Sequence, residues 1–452
     1  MTALTLSNPG PRTDRMDADR TSALVTHWKE QLTATPNSYI GTVDLQGRVY
    51  EPESVPILVE FLKDQLSECT VVLLNDIIAS LPTEKGLQVL GGFAALFVTA
   101  PVAELNVSDN AIGQQGLALE ALQSLLKCKS LERLYMENDG LDESCMSQLA
   151  DILTLEDEEE HCVCDQLTLI HFYNNMSGIG GAEAAGRIIG RCRILESFRY
   201  EGNRPQPVGC QSIANGLLEC SHFCNTLKSI RLEGTYGKDE DIDPIGALLK
   251  ALERFTQLSH VTLYDAALES KGTKLLCAAL QKHKLQSLEI PQNEVTRVTV
   301  GKSVVELVKR NLTTLKTLNL SSNELTSIGV ERLMEAFAGG NATLEILKLG
   351  ENSIGTRGAI ALISHADHLP SLKELHLDEN GFPDEVMEQL LQAFGDKLVE
   401  MEANDVEDKD EDIDDDEEED EEDDDDNDDG FDFLGTENGI EELTERFYSQ
   451  AM

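Results

Sequence analysis

One pattern recurs along this chain at a nearly fixed interval, and it limits the fold more than any other feature. The spacing L-x-x-L-x-L-x-x-N appears as LKTLNLSSN (315–323), LEILKLGEN (344–352) and LKELHLDEN (372–380). With other apolar residues allowed at the leucine positions, units open at Ile40, Cys69, Val102, Leu131, Leu167, Leu195, Leu227, Leu258, Leu285, Leu315, Leu344 and Leu372. The intervals run from 27 to 36 residues and gather near 28 to 29. Self-similarity on that scale means a stacked array, because one such unit cannot bury its apolar face alone.

Each unit has a readable interior. The x-L-x-L segment alternates, so it is a short strand with its leucines turned inward. The asparagine that follows is a short amide able to bond the backbone of neighbouring turns. An apolar residue and glycine then turn the chain, as in NAIGQQG (110–116) and NSIGTRG (352–358). The second half has helical spacing, as in LALEALQSLL (117–126). Strand, turn and helix in about 28 residues describe the long leucine-rich repeat. The expected architecture is a curved α/β solenoid of the ribonuclease-inhibitor-like type, about 11 to 12 units over 40–399. Its parallel sheet lies on the concave face and its helices on the convex face.

Two segments break the rhythm: TLEDEEEHCVCDQ (154–166), read as a loop at a unit junction, and the acidic extension GKDEDID (237–243). Residues 1–39 lack the repeat and read as a partly disordered leader, with SALVTHWKEQL (22–32) a capping helix. Residues 400–430 form an acidic tail that cannot bury enough surface to fold. Within 431–452, GIEELTERFYSQAM (439–452) is amphipathic enough for a short helix.

Charge narrows the range of partners. The net charge is −47, from 83 acidic and 36 basic residues, and 23 of the acids fall in 400–429. Such a surface repels phosphate backbones and anionic lipid, so neither nucleic acid nor membrane is expected, and a basic protein is the better partner. No window of about 20 apolar residues suggests a membrane span. The N-terminus lacks the apolar core of a secretory signal. Ten cysteines without such a signal point to reduced thiols and a cytoplasmic or nuclear setting. Cys192, Cys220 and Cys277 lie in apolar stretches and read as small core residues, as do Cys220 and Cys224 four apart in a helical half-unit.

Catalytic signatures are lacking. There is no phosphate-binding loop and no G-x-S-x-G. His161, Cys162 and Cys164 form H-C-x-C, too few ligands for zinc, so they read as loop residues and no metal is expected. His171, on the strand of LTLIHFYNN (167–175), faces the concave side as a partner contact.

The segment 105–153 resembles the N-terminal repeats of Ran GTPase-activating proteins, plant branch. The likeness is carried by Ser108-Asp109-Asn110-Ala111-Ile112-Gly113 and by Leu134-Tyr135-Met136-Glu137-Asn138-Asp139-Gly140-Leu141. HFYNNMSGIGGAEAAGRI (171–188) is similar to the next repeat of that family. The resemblance implies an activator rather than a hydrolase. It binds Ran-GTP, as a monomer and also in a ternary complex with a Ran-binding protein. It supports nucleocytoplasmic transport and has no cofactor of its own, the GTP and Mg2+ being carried by the GTPase. It also implies that Asn138 positions the GTPase's catalytic Gln, in place of an arginine supplied in trans. Asp109, Asn110, Tyr135, Asp139, His171, Asn174 and Lys85 are then expected to contact the partner.

Two departures stand out. The family's Gly-Arg in an early loop is Ser80-Leu81 here, and no Arg lies between Arg48 and Arg133; Lys85 is the candidate substitute. The plant Trp-Pro-Pro domain is missing, Trp28 being followed by Lys29 and Glu30, so a cytoplasmic protein, perinuclear at most, is expected. The rival readings are a scaffold of the ribonuclease-inhibitor or immune-sensor type and an acidic histone-binding protein. The repeat period argues against the latter.

Overall fold

The computed structural model describes residues 2–12, 15–237, 242–340, 342–399 and 401. Its contacts divide the chain into two compact units, 1–234 and 235–452.

In the first unit eight strands pair in parallel, in sequence order: Thr2–Ser7, Ser38–Asp44, Val71–Leu73, Glu104–Asn106, Arg133–Tyr135, Leu169–Tyr173, Ser197–Glu201 and Ser229–Glu233. A helix crosses back after each of the first seven, Gly178–Arg191 and Gln206–Cys220 being examples. The register is in phase from repeat to repeat. Val72, Leu105, Leu134, Ile170, Phe198 and Ile230 are partners across the ladder and all are buried. This column is the core that the repeated leucine position predicts.

In the second unit His260–Tyr264, Ser287–Glu289, Thr317–Asn319, Ile346–Lys348 and Glu374–His376 repeat the arrangement, with Val261, Leu288, Leu318, Leu347 and Leu375 in the equivalent column. Its helices include Pro244–Arg254, Glu269–Leu280, Thr326–Phe337, Thr356–Ser364 and Asp384–Phe394. All twelve expected units have their strand, and the α/β leucine-rich-repeat fold is the one observed.

The N-terminus holds the expected capping helix, longer than 22–32, and adds a strand that the sequence pattern does not announce. Thr2–Ser7 is a strand paired with Ser38–Asp44, and Ala18–Ala34 is a full helix capped by the Asp17 carboxylate, which accepts from the Arg20 N–H at 2.9 Å. Trp28 secures this segment: it is fully buried, donates its indole N–H to Ser7 O at 2.9 Å and packs near Phe61. A lone strand–helix pair covers the open edge of the first repeat, which would otherwise expose unpaired backbone. The junction 154–166 is a loop that closes in a short turn of 3-10 helix at Val163–Gln166. Residues 238–241 of the acidic extension lie outside the described residues, and so do the expected tail and C-terminal segment apart from Met401.

Candidate functional site

Every repeat leaves its strand through the same two positions. In eight of the twelve units the second, the N of the repeat pattern, is a buried Asn or Asp that works as a rung, while Arg48, Ile77, Thr235 and Ala266 stand there in the others. Asn110 accepts from the N–H groups of Ile77 and Ile78 at 2.9 and 3.3 Å, and its amide donates to the carbonyls of Leu74, Val107 and Ser108 at 2.7–3.1 Å. Asn175 and Asn203 do the same in the following repeats. Each such bond is worth about 1 kcal/mol net, but orphaning the buried groups costs more.

The position just before the rung is left-handed in all twelve units: Gly47, Asp76, Asp109, Asn138, Asn174, Gly202, Gly234, Asp265, Gln292, Ser322, Glu351 and Glu379. Its backbone N–H is held by the next strand where that bond forms, as from Asp109 to Glu137 O at 2.8 Å and from Asn138 to Tyr173 O at 2.7 Å. The positive φ turns the side chain away from the core. Asn, Asp and Gly tolerate this best.

Asn138 occupies that outward position and is exposed. Its amide nitrogen donates to Asp109 Oδ1 at 3.1 Å, and its oxygen accepts from the Asn174 amide at 3.2 Å. An amide offers two donors and two lone pairs, so one of each remains for a partner. The three outward residues of consecutive repeats thus form one hydrogen-bonded row that fixes the Asn138 rotamer. Below it, Glu137 Oε1 lies 3.4 Å from both His171 Nδ1 and Arg199 Nη1. The His171 bond first, and Arg199 with it, holds the Glu137 carboxyl below its usual range. Tyr135 meets His171 edge-on at 5.2 Å between rings, and the Arg199 guanidinium sits 3.9 Å over the Tyr173 ring.

The structure brings Asp109, Asn138, Asn174, Tyr135 and His171 onto neighbouring strand ends. Asn110 and Asp139 are a correction: both are buried rungs, engaged with backbone and closed to a partner. Asp139 is unusual even so. Its Oδ1 accepts from Asn110 N–H at 3.0 Å, while Oδ2 is buried with no hydrogen-bond partner. Burial raises its carboxyl well above the ordinary range. Burial, with the Asp109 charge nearby, also raises Asp76 on the neighbouring repeat.

Lys85 is exposed on the helix Thr83–Phe97, 3.8 Å from Glu51 Oε2. Another cation reaches the departed Gly-Arg loop more directly. Arg15 donates to Ser80 Oγ at 2.9 Å and pairs with Glu51 at 2.7 Å. Ser80 is itself left-handed, a conformation glycine takes freely.

Family models for the leucine-rich repeat match residues 311–334, 340–362 and 371–394. The chain is a leucine-rich-repeat protein. Among curated proteins it is 28% identical to the pig (Sus scrofa) ribonuclease inhibitor over 68% of this chain and 71% of that one. It is 25% identical to mouse NACHT, LRR and PYD domains-containing protein 3 over 60% of this chain and 22% of that one. It is 42% identical to the Arabidopsis thaliana RAN GTPase-activating protein 2 over 81 residues, 18% of this chain and 14% of that one.

The remaining candidates of this leucine-rich-repeat protein are structural in their contacts. Cys162 Sγ takes a long contact of 3.9 Å from Arg191, and Cys164 donates to Leu153 O at 3.3 Å. Among the described residues no helix is long and apolar enough to cross a membrane.

Proposed function

We propose that this leucine-rich-repeat protein activates GTP hydrolysis by Ran, and that Asn138 does so by orienting the GTPase's Gln. The observation that carries this reading is the exposed Asn138 amide, braced by Asp109 and Asn174 and left with one free donor and one free acceptor. A Gln side chain presents the complementary pair. Held in one rotamer, Asn138 has its geometry in place before the partner arrives, which is the requirement for stabilising a transition state. The GTP and Mg2+ stay with the GTPase, and the protein needs no cofactor. His171, Tyr135, Asp109 and Asn174 contact Ran beside Asn138, and Arg15 joins them at the Ser80 loop. The match to the Arabidopsis activator supports this reading.

A second reading, a binding scaffold without activator function, draws on the longer match to the ribonuclease inhibitor. Single-turnover phosphate release from Ran-GTP separates the two. Acceleration by catalytic amounts of the protein is expected, with none for Ras- or Rho-type GTPases. An unchanged rate at large excess leaves the scaffold.

A further inference from the structure

Among the described residues, only one stretch of the outward row has neighbouring side chains bonded to each other. Asp109, Asn138 and Asn174 stand in three consecutive repeats, all left-handed, with φ of 62°, 54° and 53°. Their backbones are anchored alike. The N–H of each donates to the following repeat, to Glu137 O at 2.8 Å, Tyr173 O at 2.7 Å and Glu201 O at 2.9 Å. Paired strands lie about 4.8 Å apart, a gap that two short side chains can close. The Asn138 amide is therefore held from both sides, its nitrogen by Asp109 Oδ1 at 3.1 Å and its oxygen by the Asn174 amide nitrogen at 3.2 Å.

An amide has nearly the same shape when turned end for end, so anchoring alone leaves two orientations open. Charge removes the choice. A carboxylate only accepts, so the nitrogen of Asn138 must face Asp109. Its oxygen is left facing Asn174, which can meet it only with its own NH2. On the far side of Asn174 the next left-handed residue is Gly202, which has no side chain to compete. The row thus has a single polarity, set at its acidic end.

We propose that Asp109 is a positioning residue whose carboxylate sets the direction of the Asn138 amide, and with it the direction in which the GTPase's Gln is bound. This rests on the reading that Asn138 meets that Gln. As the row stands, the spare N–H of Asn138 lies toward Asp109 and its spare lone pair toward Asn174. The Gln must then enter with its carbonyl toward the first and its NH2 toward the second. Reversing the row would reverse the Gln, exchanging the ends that it presents to the attacking water. Asp109 therefore acts on the chemical step through Asn138 and need not touch the reacting atoms.

The deciding variant exchanges the two ends of the row, Asp109→Asn together with Asn174→Asp. Composition and net charge are kept, and both residue types tolerate the left-handed region, so the melting curve should be unchanged while the row runs the other way. In the full chain with isotope-labelled asparagine, the Asn138 side-chain NH2 should show nuclear Overhauser contacts to the Cβ protons of Asp109. In the exchanged protein those contacts should move to position 174. Single-turnover hydrolysis of Ran-GTP at saturating protein should be about 10-fold or more slower in the exchanged protein. The half-saturating concentration should move by less than about threefold, because the loss falls on the chemical step. Asp109→Asn alone should free the amide to turn, giving contacts to both neighbours and a rate between the two. Contacts that stay at position 109 in the exchanged protein overturn the proposal, and so does an unchanged saturated rate once they have moved. If the parent protein itself fails to stimulate hydrolysis, the Ran reading falls, and the contacts decide the hold of Asp109 on Asn138 by themselves.

Discussion

Replacing Asp139 with Asn tests the logic of the rungs. In the repeats on either side, an amide at this position both accepts and donates: Asn110 reaches Leu74 O at 2.8 Å, and Asn175 reaches Met136 O at 2.8 Å. The same register sets Val107 O before Asp139, whose Oδ2 has no partner. An ionised carboxylate there faces carbonyls with no hydrogen to give. Hence the proton is kept, and burial drives the carboxyl well above its ordinary value. The native state therefore binds that proton more tightly than the unfolded chain does. Stability is fully present below the unfolded pKa of about 4 and is lost as pH rises toward the folded value, by about 1.4 kcal/mol per pH unit. Asp139→Asn removes this slope and fills the rung, for a gain of roughly 1–3 kcal/mol at neutral pH from satisfying a buried group. Urea unfolding of both proteins at pH 5 and pH 8 measures it. The advantage of the variant should widen with pH, while stimulated hydrolysis is retained because Asn138 is untouched. A difference that is the same at both pH values, or a variant less stable at both, refutes the reasoning.

Other outcomes follow from the same geometry. Asn138→Ala should cut stimulated Ran-GTP hydrolysis by about 10-fold or more, up to the roughly 2–4 kcal/mol lost with a well-placed transition-state contact, with an unchanged melting curve. Normal activity with a lowered melting temperature would instead mark Asn138 as a turn former. Arg15→Ala should weaken Ran binding in titration calorimetry without altering far-ultraviolet circular dichroism; unchanged affinity would remove Arg15 from the contact surface. Trp28→Ala should cost about 3–5 kcal/mol in denaturant unfolding, the toll of emptying a large buried aromatic site. Deleting 400–452 should slow association with Ran roughly 10-fold or more at low ionic strength while leaving the saturated hydrolysis rate alone, since a segment of net charge −26 steers rather than catalyses.

The twelve repeats were readable because each carries the same buried apolar column, eight of them carry the same Asn or Asp rung, and the register of one strand repeats in the next. The rung residues were readable too. Asn110 and Asp139 stand at the N of V-x-x-L-x-V-x-x-N and L-x-x-L-x-M-x-x-D, a position that is buried in all eight units that place Asn or Asp there. Listing them as partner contacts set the family likeness above that spacing, and their burial decides the matter. The strand Thr2–Ser7 is not announced because it brings only Leu4 and Leu6 to the pattern. Nor does spacing foretell that Arg15 reaches Ser80, 65 residues on, since a contact of that range depends on how the N-terminal helix docks.

The left-handed residue before each rung acts as a keyboard. Because its backbone is anchored and its side chain is turned outward, each repeat presents one interchangeable key, and the frame beneath does not register which key is fitted. Glycine keys at 47, 202 and 234 are blanks. Aspartate and asparagine keys at 76, 109, 138 and 174 follow one another in consecutive repeats of the first unit, and glutamate, serine and glutamine keys appear in the second. A lineage of such proteins can rewrite what it recognises one key at a time, at a conformational cost of about 1 kcal/mol per non-glycine residue, without retuning the instrument.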